Sequence, residues 1–128
     1  MKLERILLVD DDPDIRVLAK MELEMVGGFT VRACSSGEEA LATAGPFAAQ
    51  LILLDFMMPG MDGPAVLERL RAAPETAPVP VIFMTAKAAA RDAEKLKALG
   101  ALEVIAKPFE PMRLCSTVEE IWQRRAQD

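Results

Sequence analysis

The feature that most constrains the fold is a regular alternation between short apolar runs and longer segments with helical periodicity. The apolar runs have the length of strands and are rich in Val, Ile, Leu or Phe: Ile6–Val9, Phe29–Ala33, Leu51–Leu54, Val79–Met84 and Leu102–Ala106. Four of the five runs lack the apolar–polar alternation of a strand with one wet face, so both their faces should be covered. Phe29–Ala33 alternates, through Thr30 and Arg32, and should lie nearer an edge.

Between the runs, apolar residues recur every three or four positions, which is the period of an amphipathic helix. These stretches are Ile15–Val26, Val66–Leu70, Ala89–Leu99 and Leu114–Trp122, with a further helix expected after Ser36, whose spacing to Glu39 is that of a capping box. Gly27-Gly28, Gly45-Pro46 and Gly100 are predicted helix ends. Strands that alternate with helices form βαβ units, so the sequence predicts an α/β fold with a doubly wound, five-stranded parallel sheet and helices on both faces.

Size and charge narrow the class of protein. A chain of 128 residues with 52% hydrophobic content can bury one core, so we expect residues 1–128 to form one domain. The net charge of −5 argues against binding to nucleic acid or anionic lipid, and no apolar run approaches the length of a membrane span. Histidine is absent, and Cys34 and Cys115 are far apart, so we expect no zinc site and two reduced thiols in a cytoplasmic protein.

Polar residues follow four of the predicted strands. The first strand ends at Asp10-Asp11-Asp12, the third at Asp55, the fourth at Thr85-Ala86 and the fifth at Lys107-Pro108. Because ligands of open parallel sheets bind beyond the carboxyl ends of the strands, we expect these groups to meet at one edge. Carboxylate oxygens without histidine or thiolate favour Mg²⁺, which commonly also binds phosphate oxygens.

Part of the acidic run also suits helix capping. Asp12 precedes Pro13 and can be a helix N-cap, with Asp14 in the first turn, which leaves Asp10 and Asp11 as the metal ligands. A flavin or dinucleotide site is disfavoured, because no glycine-rich phosphate-binding motif follows any strand.

Four sequence blocks, ILLVDDDPDIRVL, LILLDFMMPGMDG, VPVIFMTA and VIAKPF, together resemble the receiver domain of two-component response regulators, of the kind found in chemotaxis regulators. The resemblance extends over nearly the whole chain. It implies a flavodoxin-like (βα)5 three-layer sandwich with strand order 2-1-3-4-5.

The resemblance also assigns roles to residues. Asp55 would be the phosphoacceptor. Mg²⁺, or Mn²⁺ as a substitute, would be held by Asp10, Asp11, Asp55 and the Met57 backbone carbonyl. Thr85 and Ala86 would donate hydrogen bonds to the phosphoryl group, Lys107 would neutralise its charge, and Lys107-Pro108 would be a cis peptide.

The implied function is a signalling switch rather than an enzyme: it would catalyse only its own phosphotransfer and slow autodephosphorylation. The partners would be a sensor histidine kinase or histidine phosphotransfer protein, and a downstream protein or output domain. The latter would contact the face of the fourth helix, fifth strand and fifth helix, residues Ala89–Leu99, Leu102–Ala106 and Pro111–Arg125. The chain would be a stand-alone receiver or one cut from a longer protein.

The residue expected to report the switch departs from the family pattern. The position three before Lys107 is commonly aromatic in the family but is Val104 here, so a ring movement cannot occur. We expect the signal to pass instead through the fourth helix or the loop Lys87–Ala90 that follows Thr85.

Two alternative functions remain open. One is a receiver-like binding module that is never phosphorylated. The other is a phosphatase with an aspartyl-phosphate intermediate, which the sequence disfavours because Asp55 is followed by Phe56-Met57 and lacks the second aspartate of the DxD motif.

Overall fold

The computed structural model describes residues 2–86, 91–110 and 112–125, which form five strands and five helices in alternation. The strands are β1 (Arg5–Val9), β2 (Thr30–Cys34), β3 (Leu51–Asp55), β4 (Val81–Ala86) and β5 (Glu103–Lys107). The helices are α1 (Pro13–Met25), α2 (Gly37–Phe47), α3 (Gly63–Ala72), α4 (Ala93–Ala98) and α5 (Leu114–Arg125).

The strands pair in parallel in the order β2-β1-β3-β4-β5. This confirms the doubly wound sheet and the strand order. It also confirms that the run containing Thr30 and Arg32 lies at an edge. The reversal of strand order places β1 and β3 side by side in the middle of the sheet, so the residues that follow them emerge next to each other.

Successive residues of the central strands point to opposite faces of the sheet, and each face has its own core. In β1, Ile6 and Leu8 pack with α1 and α5, whereas Leu7 and Val9 pack with α2, α3 and Leu96 of α4. All four of these β1 side chains are fully buried. Helices on both faces of the sheet confirm the three-layer arrangement.

Side-chain caps begin three of the helices. Asp12 accepts from Asp14 N and Ile15 N at the start of α1, as predicted, and Asp62 accepts from Ala65 N at the start of α3. Ser36 caps α2 through Glu39 N, but the Glu39 carboxylate bonds to the N–H of Ser35 and not to that of Ser36. In the predicted capping box, the Glu39 side chain therefore accepts from the residue before the N-cap and not from the N-cap itself.

The predicted end of the second helix was wrong. Gly45-Pro46 lies inside α2, which continues to Phe47 and ends at Ala48 in the left-handed conformation, with φ 57°. Pro46 lacks only the one hydrogen bond that its own N–H would donate, and burial of Ala40 and Ala44 holds the helix against the sheet.

Other boundaries moved by one or two residues. The predicted fourth strand began at Val79, whose N–H instead bonds to Thr76 O in a turn. Ala89 lies outside the described residues, and Leu99 caps α4 with its side chain exposed, so it does not face the core. The expectation that β5 is covered on both faces holds only in part: Ile105 is buried in one core and Val104 packs against the other, but β5 forms the second sheet edge and its residues other than Ile105 are only partly buried.

Cys34 and Cys115 are free and buried, as predicted. Among the helices of the described residues, none combines the length and apolar content needed to cross a membrane.

Gly63 tests how tightly α3 packs against the end of β3. A Cβ at this position would lie 2.8 Å from Asp55 O, 2.9 Å from Phe56 Cα and 3.0 Å from a Phe83 ring carbon. Backbone atoms cannot move aside cheaply, so Gly63→Ala should lower the free energy of unfolding by about 2–3 kcal/mol, measured by urea denaturation.

Gly45→Ala is the matched control. Its Cβ would meet only the flexible Glu75 side chain, at 3.3 Å, and alanine favours a helix over glycine. We expect its unfolding midpoint to stay the same or rise. Equal losses in the two variants would contradict the close packing at Gly63.

Candidate functional site

Three carboxylates converge where β1 and β3 end. One oxygen from each of Asp10, Asp11 and Asp55 lies within 4.8 Å of the other two, in an arrangement that could hold a metal ion. Asp10 is fully buried and Asp55 is 3% exposed, while Asp11 is open to solvent. Two of the three charges therefore lie in the interior, where water screens them poorly.

The ammonium group of Lys107 lies between the two buried carboxylates. Its Nζ is 3.1 Å from Asp10 Oδ2 and 3.0 Å from Asp55 Oδ1. Lys107 is the last residue of β5, so its side chain crosses over β4 to reach Asp55. One positive charge faces three negative ones, which leaves the site with a net negative charge that attracts cations.

The pKa of Asp55 reflects this imbalance. Burial raises the pKa of its carboxyl to about 6; the hydrogen bond from Lys107 opposes the rise, and the nearby charge of Asp10 adds to it. Burial lowers the pKa of Lys107, but its hydrogen bonds with Asp55 and Asp10 outweigh that effect and the net pKa is raised. Lys107 is thus a fixed positive charge, whereas Asp55 carries a charge that the apo site tolerates poorly.

Backbone contacts fix the position of Asp10. Its N–H donates to Cys34 O at 3.1 Å and its carboxylate accepts from Asp12 N at 2.9 Å. Its carbonyl accepts from Arg16 Nη1 at 2.7 Å. Asp12 itself caps α1 and does not belong to the carboxylate group, as the capping interpretation predicted.

The remaining predicted residues line the same edge. Thr85 is 2% exposed, and its Oγ1 has no hydrogen-bond partner within the described parts of the chain. A buried hydroxyl without a partner is costly and points to a group that it can bond in another state. Ala86 is exposed beside it, and the Met57 N–H points to Asp55 Oδ1 at 3.4 Å, with the Met57 side chain in solvent.

Val104 lies beside Phe83 of β4 and is partly buried against the α2–α3–α4 core. The Lys107-Pro108 peptide is cis, as predicted. The loop Lys87–Ala90, to which the sequence assigned a role in the readout, lies outside the described residues.

Sequence reasoning missed two residues that shape the site. Arg16 holds the Asp10 carbonyl, and no motif distinguishes it from other helix arginines. Asp62 caps α3 next to Gly63, which packs against the Asp55 carbonyl. Asp62 precedes Pro64 by two residues, much as Asp12 precedes Pro13, so the cap at Asp62 could have been predicted from the sequence.

The structure defines a doubly wound α/β domain with an acidic edge that could hold a cation, and comparison with known proteins identifies the family. Residues 6–119 match the family described as response regulator receiver domain. Since this is most of the chain, the protein belongs to the receiver domain family of response regulators, which act in two-component signalling.

Solved structures share the fold closely. Chemotaxis protein CheY4 of Vibrio cholerae has a TM-score of 0.83 at 28% identity, covering 94% of this chain and 99% of that one. A putative response regulator from Chloroflexus aurantiacus has a TM-score of 0.84 at 32% identity, covering 96% and 100%.

Curated relatives are longer proteins. The DNA-binding dual master transcriptional regulator RpaA of Synechocystis is 36% identical over 94% of this chain and 49% of its own length. The transcriptional activator PfeR of Pseudomonas aeruginosa is 38% identical over 94% of this chain and 38% of its own. The chain thus spans about half or less of these relatives, so our expectation of no nucleic-acid contact concerns this domain and does not extend to full-length regulators.

The raised pKa of Asp55 predicts how pH affects the metal-free protein. A carboxyl whose pKa is higher in the folded state stabilises the fold below its unfolded value, near 3.8, and that stabilisation is lost as pH rises through about 6. Asp55→Asn mimics the protonated form. With a chelator present, it should be about 1–2 kcal/mol more stable than wild type at pH 8, and close to wild type at pH 4, by urea denaturation.

Asp62→Asn removes the same formal charge from an exposed position and keeps a residue that caps helices well. Its stability should follow wild type at both pH values. If Asp55→Asn is no more stable than wild type at pH 8, the charge of Asp55 is not a burden to the apo fold.

Proposed function

We propose that this chain is a cytoplasmic receiver domain, formed by residues 1–128, that accepts a phosphoryl group on Asp55. The donor is a phosphohistidine on a sensor histidine kinase or histidine phosphotransfer protein. The observation that carries the proposal is the position of the Asp55 carboxylate, with two further carboxylates within 4.8 Å and the Lys107 ammonium 3.0 Å away.

The donor set fits Mg²⁺. The cluster offers carboxylate oxygens from Asp10, Asp11 and Asp55, and its uncompensated negative charge requires a cation. Asp11, which is exposed, and Asp55 would bind the ion directly, Asp10 through water, and the Met57 carbonyl would complete the protein ligands. When bound, Mg²⁺ supplies positive charge next to the oxygens of the incoming phosphoryl group; Mn²⁺ could replace it.

In the transfer, a carboxylate oxygen of Asp55 forms a bond to phosphorus while the bond from phosphorus to the donor imidazole nitrogen breaks. The nitrogen keeps the electron pair of that bond, and Asp55 becomes an acyl phosphate. Since the phosphoryl oxygens carry negative charge, catalysis here is alignment and charge neutralisation. The Lys107 ammonium is placed to bond one of those oxygens.

Thr85 and the Ala86 N–H would receive the remaining phosphoryl oxygens. Thr85 supports this role because its buried hydroxyl has no partner among the described residues. Slow hydrolysis then breaks the bond between phosphorus and the Asp55 oxygen, which releases inorganic phosphate and restores the carboxylate.

The phosphoryl group would change the protein around β4, α4 and β5. Drawing Thr85 toward Asp55 moves the end of β4, whose neighbour β5 carries Val104. Val104 has too little bulk to report this movement by a large swing, so the change should pass to α4. A downstream protein or output domain would read it on the α4–β5–α5 face.

Phosphorylation is tested with acetyl phosphate as a small donor. We expect Mg²⁺-dependent incorporation of one phosphoryl group, seen by intact-protein mass spectrometry, and a fall of about a hundredfold or more in rate when a chelator removes the metal. Asp55→Asn should abolish labelling.

Asp62→Asn is the control, since Asp62 is not one of the three clustered carboxylates and asparagine keeps the helix cap, so this variant should be labelled like wild type. A wild-type protein that binds no Mg²⁺ and takes up no label would instead favour the alternative of a receiver-like binding module. Rapid multiple turnover on phosphorylated metabolites would favour the phosphatase.

The readout is tested by NMR. Adding a beryllofluoride phosphoryl mimic with Mg²⁺ should shift the amide resonances of Asp92–Leu99 as well as those around Asp55, because α4 carries the change. Shifts that stay confined to the surroundings of Asp55 would contradict a route through α4.

A further inference from the structure

A glutamate side chain of α1 binds two backbone N–H groups at the start of α5, in the part of the chain that follows Lys107. Glu22, in α1, accepts the Met112 N–H on Oε1 at 2.9 Å and the Cys115 N–H on Oε2 at 3.1 Å. The Glu22 carbonyl also lies 3.3 Å from Cys115 Sγ. Glu22 thus supplies a carboxylate to the N-terminal end of α5, where unpaired N–H groups and the helix dipole favour negative charge. We call these two carboxylate bonds the Glu22 anchor.

Met112 shows that the anchor restrains the backbone. Its φ is 69°, in the left-handed region that residues with a side chain rarely adopt. Its side chain is 67% exposed, so packing of that side chain does not hold the conformation. A strained backbone persists where its surroundings enforce it, and the hydrogen bond from the Met112 N–H to Glu22 acts directly on this residue.

The same helix holds the acidic half of the site. Arg16 Nη1 donates to the Asp10 carbonyl at 2.7 Å, and Asp12 caps the helix. Arg16 and Glu22 are six positions apart on α1, or about 9 Å along its axis. One rigid element therefore contacts both the backbone of Asp10 and the chain beyond Lys107.

Lys107 needs such a restraint more than the carboxylates do. Asp10 follows β1 and Asp55 ends β3, two central strands that are buried apart from Arg5. Lys107 ends the edge strand β5, and the described residues that follow it, 108–110 and 112–113, belong to no helix or strand. Its ammonium must nonetheless stay about 3 Å from two carboxylates at once.

We propose that Glu22 is a positioning residue for phosphoryl transfer: by anchoring Met112 and Cys115 to α1, it holds the backbone that aims Lys107 at Asp55. This rests on the proposed phosphoacceptor function. Glu22 touches none of the reacting groups and acts only through Lys107. Its effect should therefore appear in the transfer rate and not in metal binding.

Glu22→Gln tests the anchor with little change in shape. The amide offers one acceptor oxygen and places an NH₂ against a backbone N–H, so one of the two bonds is lost. We expect labelling by acetyl phosphate at saturating Mg²⁺ to slow about threefold to tenfold, since small misplacements of a charge-neutralising group are costly. Mg²⁺ affinity, followed by calorimetry, should remain unchanged, and the Cys115 amide should exchange with solvent faster.

Glu24→Gln is the matched control on the same helix. Glu24 forms a partly buried pair with Lys20, 3.0 Å away, and lies outside the Glu22 anchor. Its labelling rate, Mg²⁺ affinity and Cys115 exchange should match wild type. An equal slowing in Glu24→Gln would show that the charge of α1, and not the anchor, controls the rate, and would overturn the proposal.

A double-mutant cycle with Lys107→Gln separates positioning from general destabilisation. If Glu22 acts through Lys107, Glu22→Gln should have no further effect once Lys107 is replaced. If the two losses multiply, Glu22 is only structural and the proposal fails. If the Lys107→Gln proteins are labelled too slowly for a rate to be measured, the same cycle is measured from the urea midpoints of the four metal-free proteins. Additive losses of stability would overturn the proposal, and non-additive losses would support it.

The outcomes also separate this inference from the function on which it rests. Absence of label in wild type would refute the phosphoacceptor function itself. Normal labelling of wild type, with Glu22→Gln equal to it or with a parallel loss of Mg²⁺ affinity, would refute only the positioning role.

Discussion

The structure depends on a balance between like charges that the fold brings together and one amine that partly offsets them. Asp10 and Asp55 are buried within a few ångströms of each other, and Lys107 reaches both. Burying a carboxylate costs free energy unless a counter-charge or hydrogen bonds compensate it, and the raised pKa of Asp55 shows that compensation is incomplete. The apo site is therefore poised to gain from any bound group that adds positive charge, which is what a phosphoryl-accepting carboxylate requires.

Much of this arrangement could be predicted from sequence, because it follows from two periodicities and one rule of topology. Alternating strand and helix patterns predicted the parallel sheet. Because the carboxyl ends of parallel strands meet at one edge, the sequence also predicted that Asp10, Asp55, Thr85 and Lys107 lie close together. Asp12 was separated from the predicted metal ligands by the chemistry of Pro13 alone. The strand order came from the family resemblance, since the apolar runs by themselves do not specify their neighbours.

The errors have a common physical cause: tertiary packing outweighed the local sequence preferences from which helix ends and strand burial were predicted. Gly45-Pro46 carries strong helix-ending chemistry, yet α2 passes through it because Ala40 and Ala44 are buried against the sheet. The apolar run Leu102–Ala106 predicted a strand well covered on both faces, but its place at the edge leaves Val104 only partly buried on the side of α4. The Glu22 anchor was beyond prediction for a related reason. Its partners lie ninety or more positions away, and nothing in the neighbouring sequence distinguishes Glu22 from Glu24 two residues later.

Central strands are more buried and more fully paired than edge strands, and this difference explains where the site needs extra restraints. Residues that end β1 and β3 inherit the rigidity of buried strands, and Asp10 and Asp55 need little more than backbone hydrogen bonds to stay in place. Lys107 ends an edge strand, where one flank lacks a neighbouring strand and the side chains are only partly buried. A charge that must act at a defined distance cannot depend on such a strand alone. The cross-links from α1 to the chain beyond Lys107 supply the missing rigidity, so the helix that begins at the acidic residues also determines where their counter-charge lies.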